Sequence, residues 1–485
     1  MKLPLLSLLV FLPLAGAFSL WLLPARATRY AVAASLLMTL ALSTATFLSF
    51  DPTAGHFQFV ERAPWIASLN INYQLGVDGL SVLFLPATTL LFLGSLVASW
   101  NRIKASPRLY YGLLLLLQSA TLGIFCALDT ILFFFFWELT LIPLYFLLGR
   151  WGATAGSPQA AARYFLIMLA SGIPLLIAFI LLATHQPVLS FDLMILLGNP
   201  PPRSTQSIVF LLCLLGFGIK VPLVPLHTWL PQFSLAAPGS LTALLVGLKL
   251  GAFGLIRFAI PLAPQAAPDM HWLLAGLGTL SLLYGAVGML GQTNLRIALA
   301  YASICHVGLA VLGLASFTAE GAHGAVSLLL SFSVASGGAF LLLEFLRQRT
   351  GSTDLNTLGG SAKTMPLLAS GFLICGLAGV GMPGTSSFPG EFLLILSALE
   401  THTGAGMAAL FGLSIAAGAF LALYRKAFFG PVTRPEVAQA EDLLPREWLV
   451  LVVVVSLIIG IGLYPAPWFD IVRPAAEAWA TGLHR

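Results

Sequence analysis

Four charged residues of this chain lie where a charge is most costly. Two glutamates, Glu138 and Glu391, and two lysines, Lys220 and Lys249, each lie inside an apolar stretch long enough to span a bilayer. Only 8% of the residues are charged, so these positions stand out from the composition. A charge at this depth is retained mainly where it pairs, contacts water or moves ions. The four residues therefore indicate transport of protons or cations.

Glu138 and Lys220 have the chemistry of a switchable pair. Glu138 lies among phenylalanines in FFFFWEL, and Lys220 directly precedes two prolines in GIKVPLVP. Burial penalises the charged form of each group, whereas a nearby opposite charge favours it. When the two groups separate, the lysine therefore tends to release its proton. Each residue also has a structural alternative. Glu138 could form an ion pair that locks two helices together. Lys220 could extend its side chain to the membrane interface.

Histidines extend this series, because histidine titrates near physiological pH and suits a proton relay. His227 lies in PLHTWLP and His306 in YASICHVGLAVLG, although a neighbouring carbonyl could simply satisfy the His306 ring. Glu344 is expected to be structural, paired with Arg347 or Arg349. In chain order, the predicted proton-translocation residues are Glu138, Lys220, His227, Lys249, His306 and Glu391.

The elements that position these residues are predicted to be transmembrane helices. Hydrophobic residues make up 58% of the chain and the mean hydropathy is +0.95, as expected for an all-α polytopic membrane protein. Apolar runs of suitable length predict about fourteen spans. They lie near 3–23, 28–49, 78–98, 109–127, 130–149, 161–184, 206–224, 240–262, 272–292, 295–316, 323–346, 364–382, 405–428 and 447–465.

Two helices are predicted to be broken, around 214–232 and 376–392, where glycine and proline interrupt an apolar run. Proline removes a backbone donor, and carbonyls left unpaired at membrane depth are tolerated only against protein or a water-filled cavity. Matching breaks in two halves indicate an internally repeated transporter. Glu138 and Lys249 are expected on intact spans. The predicted segments are 1–108, a first repeat 109–262, a second repeat 272–428, and 447–485.

The distribution of basic residues predicts the orientation. If the spans are correct, most lysines and arginines lie on one side, which the positive-inside rule makes cytoplasmic. Both chain termini then face outward, and the formal charge of +5 reflects topology and not nucleic-acid binding. The outer side carries only Lys2, Arg62, Arg203, Arg257, Arg473 and Arg485.

The sequence contains no motif for redox chemistry. It has no glycine-rich dinucleotide fingerprint and no P-loop, and its four cysteines are scattered singly within predicted spans. We therefore expect no cofactor and no metal on this chain. If redox chemistry drives transport, it takes place on another chain.

Six segments resemble the antiporter-like proton-channel family of respiratory complex I, and most closely its M-type members. They are LGVDGLS (75–81), FFFWELTLIP (134–143), KVPLVPLHTWLP (220–231), APGS (237–240), YASICHVGL (301–309) and PGTSSFPGEF (383–392). The resemblance covers nearly the whole chain. It implies two inverted five-helix repeats, each with one broken helix. It also implies a non-redox subunit of an NADH:quinone oxidoreductase that pumps protons beside other membrane subunits in a bacterial inner membrane.

The resemblance also implies roles for individual residues. Glu138 and Lys220 match the carboxylate–lysine pair of the family, Lys249 its linking lysine, and Glu391 the last residue of the outlet. Two relay histidines are missing, one in the shortened linker QFSLAAPGS and one at Phe332, so water or Ser331 and Ser333 would have to bridge the gap. The alternatives left open are a cation/proton antiporter subunit, a proton-channel partner of an inorganic-carbon uptake or membrane hydrogenase complex, and a structural scaffold.

Overall fold

The computed structural model describes residues 4–24 and 26–483, so Lys2 and Arg485 of the charge comparison lie outside the described residues. The helices, in chain order, are α1 (Leu5–Leu22), α2 (Thr28–Leu48), α3 (Phe84–Ser99), α4 (Pro107–Cys126), α5 (Thr130–Leu139), α6 (Leu141–Trp151), α7 (Ser157–Thr184), α8 (Leu193–Gly198), α9 (Arg203–Lys220), α10 (Trp229–Ala236), α11 (Gly239–Leu248), α12 (Leu250–Gly254), α13 (Ala266–Asp269), α14 (His271–Leu290), α15 (Leu295–Leu314), α16 (Ala319–Thr350), α17 (Leu355–Leu358), α18 (Ser361–Thr364), α19 (Pro366–Gly379), α20 (Phe388–Thr401), α21 (Thr403–Phe428), α22 (Pro435–Ala438), α23 (Pro445–Leu463) and α24 (Ala466–Leu483).

The predicted polytopic helical architecture is confirmed. In the part of the chain that the structure describes, eleven helical segments are long and apolar enough to cross a bilayer. The shorter apolar helices α3 and α19 also coincide with predicted spans. A total of fourteen crossings, the two inverted repeats and the segment boundaries stay predictions.

A β-hairpin lies in the segment between α2 and α3. Strands β1 (Gln58–Ile66) and β2 (Ile71–Val77) pair antiparallel, and β2 is the more buried of the two. Asn70 makes the turn in the left-handed conformation, which asparagine tolerates better than most residues. The Asp129 carboxylate, which caps the start of α5, also accepts a hydrogen bond from the Asn72 N–H at 3.1 Å. The hairpin is thereby tied to the helix that carries Glu138.

Both predicted helix breaks are confirmed. The helix α9 ends at Lys220 and α10 begins at Trp229, while α19 ends at Gly379 and α20 begins at Phe388. In each break prolines remove backbone donors and prevent a helix from continuing.

The expectation that Lys249 lies on an intact span is wrong, whereas Glu138 lies in a helical segment, Thr130–Trp151, that is long enough to cross the bilayer as one span but has a kink. Pro143 has no N–H for the Leu139 carbonyl, and the segment is kinked at Thr140, between α5 and α6, although Thr140 keeps a helical conformation. Lys249 itself adopts the left-handed conformation, with φ of 48°, between α11 and α12. This bend brings α12 directly against the break after Lys220.

The helix α16 is the central element of the bundle. It packs against α3, α11, α15, α19, α20, α23 and α24, and its 32 residues are enough for about 48 Å of helix. Its Ser331 hydroxyl donates to the Ser386 carbonyl at 2.7 Å, inside the second break. Its Ser333 hydroxyl donates to the Gly247 carbonyl, two residues before Lys249. One helix therefore holds both halves of the chain in register.

Near the end of α16, Glu344 forms a buried structural cluster. Its carboxylate contacts the Arg102 guanidinium, lies 3.8 Å from that of Arg347, and accepts the Gly239 N–H at the start of α11 at 2.7 Å. The predicted pairing with Arg347 is confirmed, whereas Arg349 pairs instead with Glu447. The contact with Arg102 could not be predicted, because Arg102 lies 242 positions away from Glu344 in the sequence.

We predict that Glu344→Gln destabilises the chain by about 2 kcal/mol, since charge-assisted hydrogen bonds to a buried group are lost. Thermal unfolding in detergent, followed by intrinsic fluorescence, measures the effect. The exposed residue Glu477 supplies the control variant Glu477→Gln, which should leave the unfolding temperature unchanged. An equal shift in both variants would contradict a specific role for Glu344.

Candidate functional site

The Glu138 carboxylate lies in a space that a glycine leaves open. Glu138 is at the carboxyl end of α5, and its Oε1 faces Gly172 of α7, where any added Cβ would collide with it. Among the described residues, neither carboxylate oxygen has a hydrogen-bond partner. Glu138 is therefore a deep carboxylate that no hydrogen bond from the described residues holds in its ionised form.

Lys220 lies opposite Glu138 but does not form an ion pair with it. Its ammonium donates to the Thr140 hydroxyl at 3.1 Å and lies 3.7 Å from the ring centroid of Trp137. The Thr140 hydroxyl in turn donates to the Trp137 carbonyl at 2.7 Å. Glu138 and Lys220 therefore both lie at the α5–α6 junction without direct contact between their charges. The Lys220 ammonium contacts a neutral hydroxyl and an aromatic ring of this junction instead.

A small cavity connects the two lysines. Its volume is about 40 Å³, and both Lys220 and Lys249 line it, together with the hydroxyl-bearing residues Thr121, Thr140 and Ser303. A cavity of this size has room for one or a few water molecules, and the lysine and hydroxyl groups in its otherwise apolar wall are their polar partners. Lys220 and Lys249 are only 7% and 8% exposed, so both are buried around this cavity.

Beyond the cavity, Lys249 contacts α15. Its ammonium donates to the Ser303 hydroxyl and lies 4.7 Å from the ring centroid of Phe332. His306 follows Ser303 by three residues, which places both on the same face of α15. The His306 Nδ1–H donates to the Ala302 carbonyl at 2.7 Å, a bond that leaves Nε2 available.

Glu391 completes this line of residues. Its carboxylate lies 3.5 Å from His306 Nε2 and is 4% exposed. Glu391 is in the first turn of α20, where the free N–H groups of a helix favour an anion. The carboxylate also lies against Gly381, whose φ of +67° and lack of a side chain both make room for it. Glu138 and Glu391 are therefore each accommodated by a glycine on a neighbouring segment.

Phe332 fills the position between Lys249 and His306. Its ring stacks on that of His306 with 4.4 Å between centroids. The Ser331 and Ser333 hydroxyls donate to the carbonyls of Ser386 and Gly247, and bridging of this gap by water or by these serines stays a prediction. Ser303 also supplies a hydroxyl, beside Lys249. Neither Thr140 nor Ser303 was predicted from the sequence to be part of the site. Ser303 could have been, because it lies three residues before His306 and therefore on the same helix face.

His227 does not lie with the other predicted proton-translocation residues. Its ring is buried and packs against those of Tyr284 and Tyr301, with centroids 4.7 and 6.5 Å away. It does not line the cavity between the lysines. The structure thus joins Lys220 to Lys249 and His306 to Glu391, with Glu138 beside the first pair.

Comparisons with known proteins show which chains this one is similar to. A family model described as NADH:quinone oxidoreductase/Mrp antiporter, transmembrane, matches residues 127–416. The NADH-quinone oxidoreductase subunit M of Rickettsia bellii is 31% identical over 98% of this chain and 98% of its own length. A chain of respiratory complex I from Thermus thermophilus with bound NADH has a TM-score of 0.91 and 33% identity, covering 99% of both chains. A chain of the Mrp complex from Dietzia is similar in fold, with a TM-score of 0.85 at 21% identity and 100% of both chains covered.

We predict that Gly172→Ala lowers ion transport by about tenfold or more, because a catalytic group displaced by about 1 Å loses much of its effect. The added methyl group would displace the flexible Glu138 carboxylate, so the protein should still insert and assemble. Transport into inverted membrane vesicles, followed with a pH-sensitive dye, measures the change. Gly276→Ala is the control, since a Cβ there meets nothing within 4 Å. Normal transport in Gly172→Ala would show that the position of the carboxylate does not matter.

Proposed function

The chain belongs to the NADH:quinone oxidoreductase/Mrp antiporter transmembrane family, and from this premise we propose that it is the M-type, proton-translocating membrane subunit of a complex I-type enzyme. The observation that carries this proposal is the line of titratable and hydroxyl groups across the bundle, running from Glu138 through the two lysines to Glu391. Its partners are the other membrane subunits of that assembly, in the inner membrane of a bacterium.

In the first half, Glu138 and Lys220 act as the switch. While Glu138 is ionised, its negative charge favours the ammonium form of Lys220 across the α5–α6 junction. When Glu138 takes up a proton or moves away, that stabilisation is lost. Lys220 is buried among apolar residues, so it then releases its proton into the cavity that it shares with Lys249. Thr140 holds the amine in place during this change.

In the second half, the proton passes from Lys249 towards Glu391. Ser303 can accept a proton from the Lys249 ammonium while it donates its own, because a hydroxyl is both donor and acceptor. His306 exchanges a proton with Glu391 through Nε2. The Phe332 ring excludes continuous water from the stretch between Lys249 and His306, so we propose that transfer there needs a transient rearrangement of this ring.

The redox reaction belongs to partner subunits in this proposal. This chain supplies no redox centre and binds no cofactor; its residues only hold and move protons. The charge distribution supports placing the basic ends of the helices in the cytoplasm and both termini on the outer side.

A second candidate function is a cation/proton antiporter subunit. The likeness in fold to a chain of the Mrp complex supports it, although that likeness at 21% identity concerns the fold alone. The two functions differ in their source of energy. A complex I-type subunit needs electron transfer on its partners, whereas an antiporter exchanges sodium or potassium for protons without it.

We predict that Lys220→Ala and Glu138→Ala each lower proton pumping by the purified, reconstituted assembly by about tenfold or more, the size typical of a lost proton-transfer group. Acidification of proteoliposomes during NADH oxidation measures it, and Lys363→Ala, outside the site, is the control. Normal pumping in either site variant would contradict the mechanism. The antiporter function would be established instead if the wild type showed sodium-dependent proton flux in the absence of NADH and both variants abolished that flux.

A further inference from the structure

Two histidines from distant parts of the chain meet at one end of the bundle. His271 is the first residue of α14, and His402 lies between the end of α20 and the start of α21. The distance from His271 Nδ1 to His402 Nε2 is 2.8 Å. His271 is exposed and His402 is partly exposed, so ions in the surrounding water can reach both rings. The contact involves none of the predicted proton-translocation residues.

The neighbour of His402 decides which of its ring nitrogens carries the proton. The Thr401 hydroxyl donates its only hydrogen to the Ser397 carbonyl at 2.8 Å. The same oxygen lies 2.9 Å from His402 Nδ1, so it must accept a hydrogen bond from the Nδ1–H. In the neutral ring, Nε2 is then unprotonated, and its lone pair points at His271.

This arrangement is the one that holds a metal-binding histidine in place. A histidine ligand usually donates its second ring N–H to an oxygen of the protein, which fixes both the tautomer and the direction of the ring. Thr401 does this for His402. His271 has the freedom that a second ligand needs, because an exposed neutral imidazole can carry its proton on either nitrogen and can present an unprotonated Nδ1.

The separation of the two nitrogens is close to the one that a single ion requires. Nitrogens that are bound at about 2.0–2.1 Å to one tetrahedral zinc ion lie about 3.3 Å apart. The observed 2.8 Å has to increase by about half an ångström, which a small rotation of the exposed His271 side chain provides. Among the described residues, no group of three or more His, Cys, Asp or Glu side chains could hold a metal ion, so water has to complete the coordination.

We propose that His271 and His402 bind one divalent transition-metal ion of the class that imidazole favours, such as Zn²⁺. On binding, the proton of His271 Nδ1 moves to Nε2 of the same ring, and the lone pairs of both histidines then point at the ion. The ion ties the first turn of α14 to the turn between α20 and α21. Spacing along the chain could not reveal this site, because the two histidines are 131 positions apart.

Zinc binding by the purified full-length chain in detergent, freed of any affinity tag, tests the proposal. The chain is stripped of metal with a chelator, and bound Zn²⁺ is then counted by isothermal titration calorimetry. We expect His271→Ala and His402→Ala each to bind one Zn²⁺ fewer than the wild type. His185→Ala is the control and should bind the wild-type number, because the exposed His185 contacts the Thr205 hydroxyl instead of a second imidazole. Equal binding by the wild type and both site variants overturns the proposal.

Thr401 tests the arrangement while both histidines are kept. Thr401→Val removes the acceptor of the His402 Nδ1–H, and the loss of such a partner typically lowers metal affinity by about 10–100-fold. We therefore expect the dissociation constant for Zn²⁺ to rise by about tenfold or more in Thr401→Val and to stay near the wild-type value in Thr401→Ser. An unchanged constant in Thr401→Val overturns the assigned arrangement.

Competition identifies the class of ion. Mg²⁺ prefers oxygen ligands, so an excess of Mg²⁺ should leave the bound Zn²⁺ in place. Displacement of Zn²⁺ by Mg²⁺ overturns coordination by imidazole. These measurements require neither transport nor partner subunits, so this site and the proposed function can fail independently.

Discussion

The cost of holding charge inside a bilayer determines how this chain is built. Each of the four deep charges requires a local environment that stabilises the ion and still allows its protonation state to change. These charges are Lys220, Lys249, Glu138 and Glu391. For the two lysines the fold provides this with neutral groups: the hydroxyls of Thr140 and Ser303, and the rings of Trp137 and Phe332. A direct ion pair would fix a proton in place. Neutral partners leave each charge able to change.

Helix ends are the second means of stabilisation. Lys220 ends α9 and Lys249 follows the end of α11, and the free carbonyls at these helix ends favour a cation. Glu391 lies in the first turn of α20, where free N–H groups favour an anion. Glu138 lies near the α5–α6 kink, where no hydrogen bond from the described residues holds its carboxylate. The interrupted helices therefore serve the electrostatics as well as the packing.

The sequence was sufficient for the helical architecture, the two proline-containing breaks and the deep charges, because each rests on local composition. It was insufficient where distant segments meet. The bend at Lys249 depends on how closely α12 packs against Val221, for which Gly251 leaves room. Arg102 reaches Glu344 from another helix, and His227 turns towards Tyr284 and away from the lysines. Thr140 and Ser303 are ordinary residues in a membrane helix, and only their three-dimensional neighbours give them a role.

The central claim is that Lys249 connects the two halves of one proton pathway through the cavity that it shares with Lys220. The most direct measurement is the number of protons pumped per NADH oxidised by the reconstituted assembly when Lys249 is replaced by methionine, which keeps the length of the side chain and removes its charge. The account predicts that this ratio falls while NADH oxidation still occurs. A ratio equal to that of the wild type, in an assembly with the normal subunits, would contradict it.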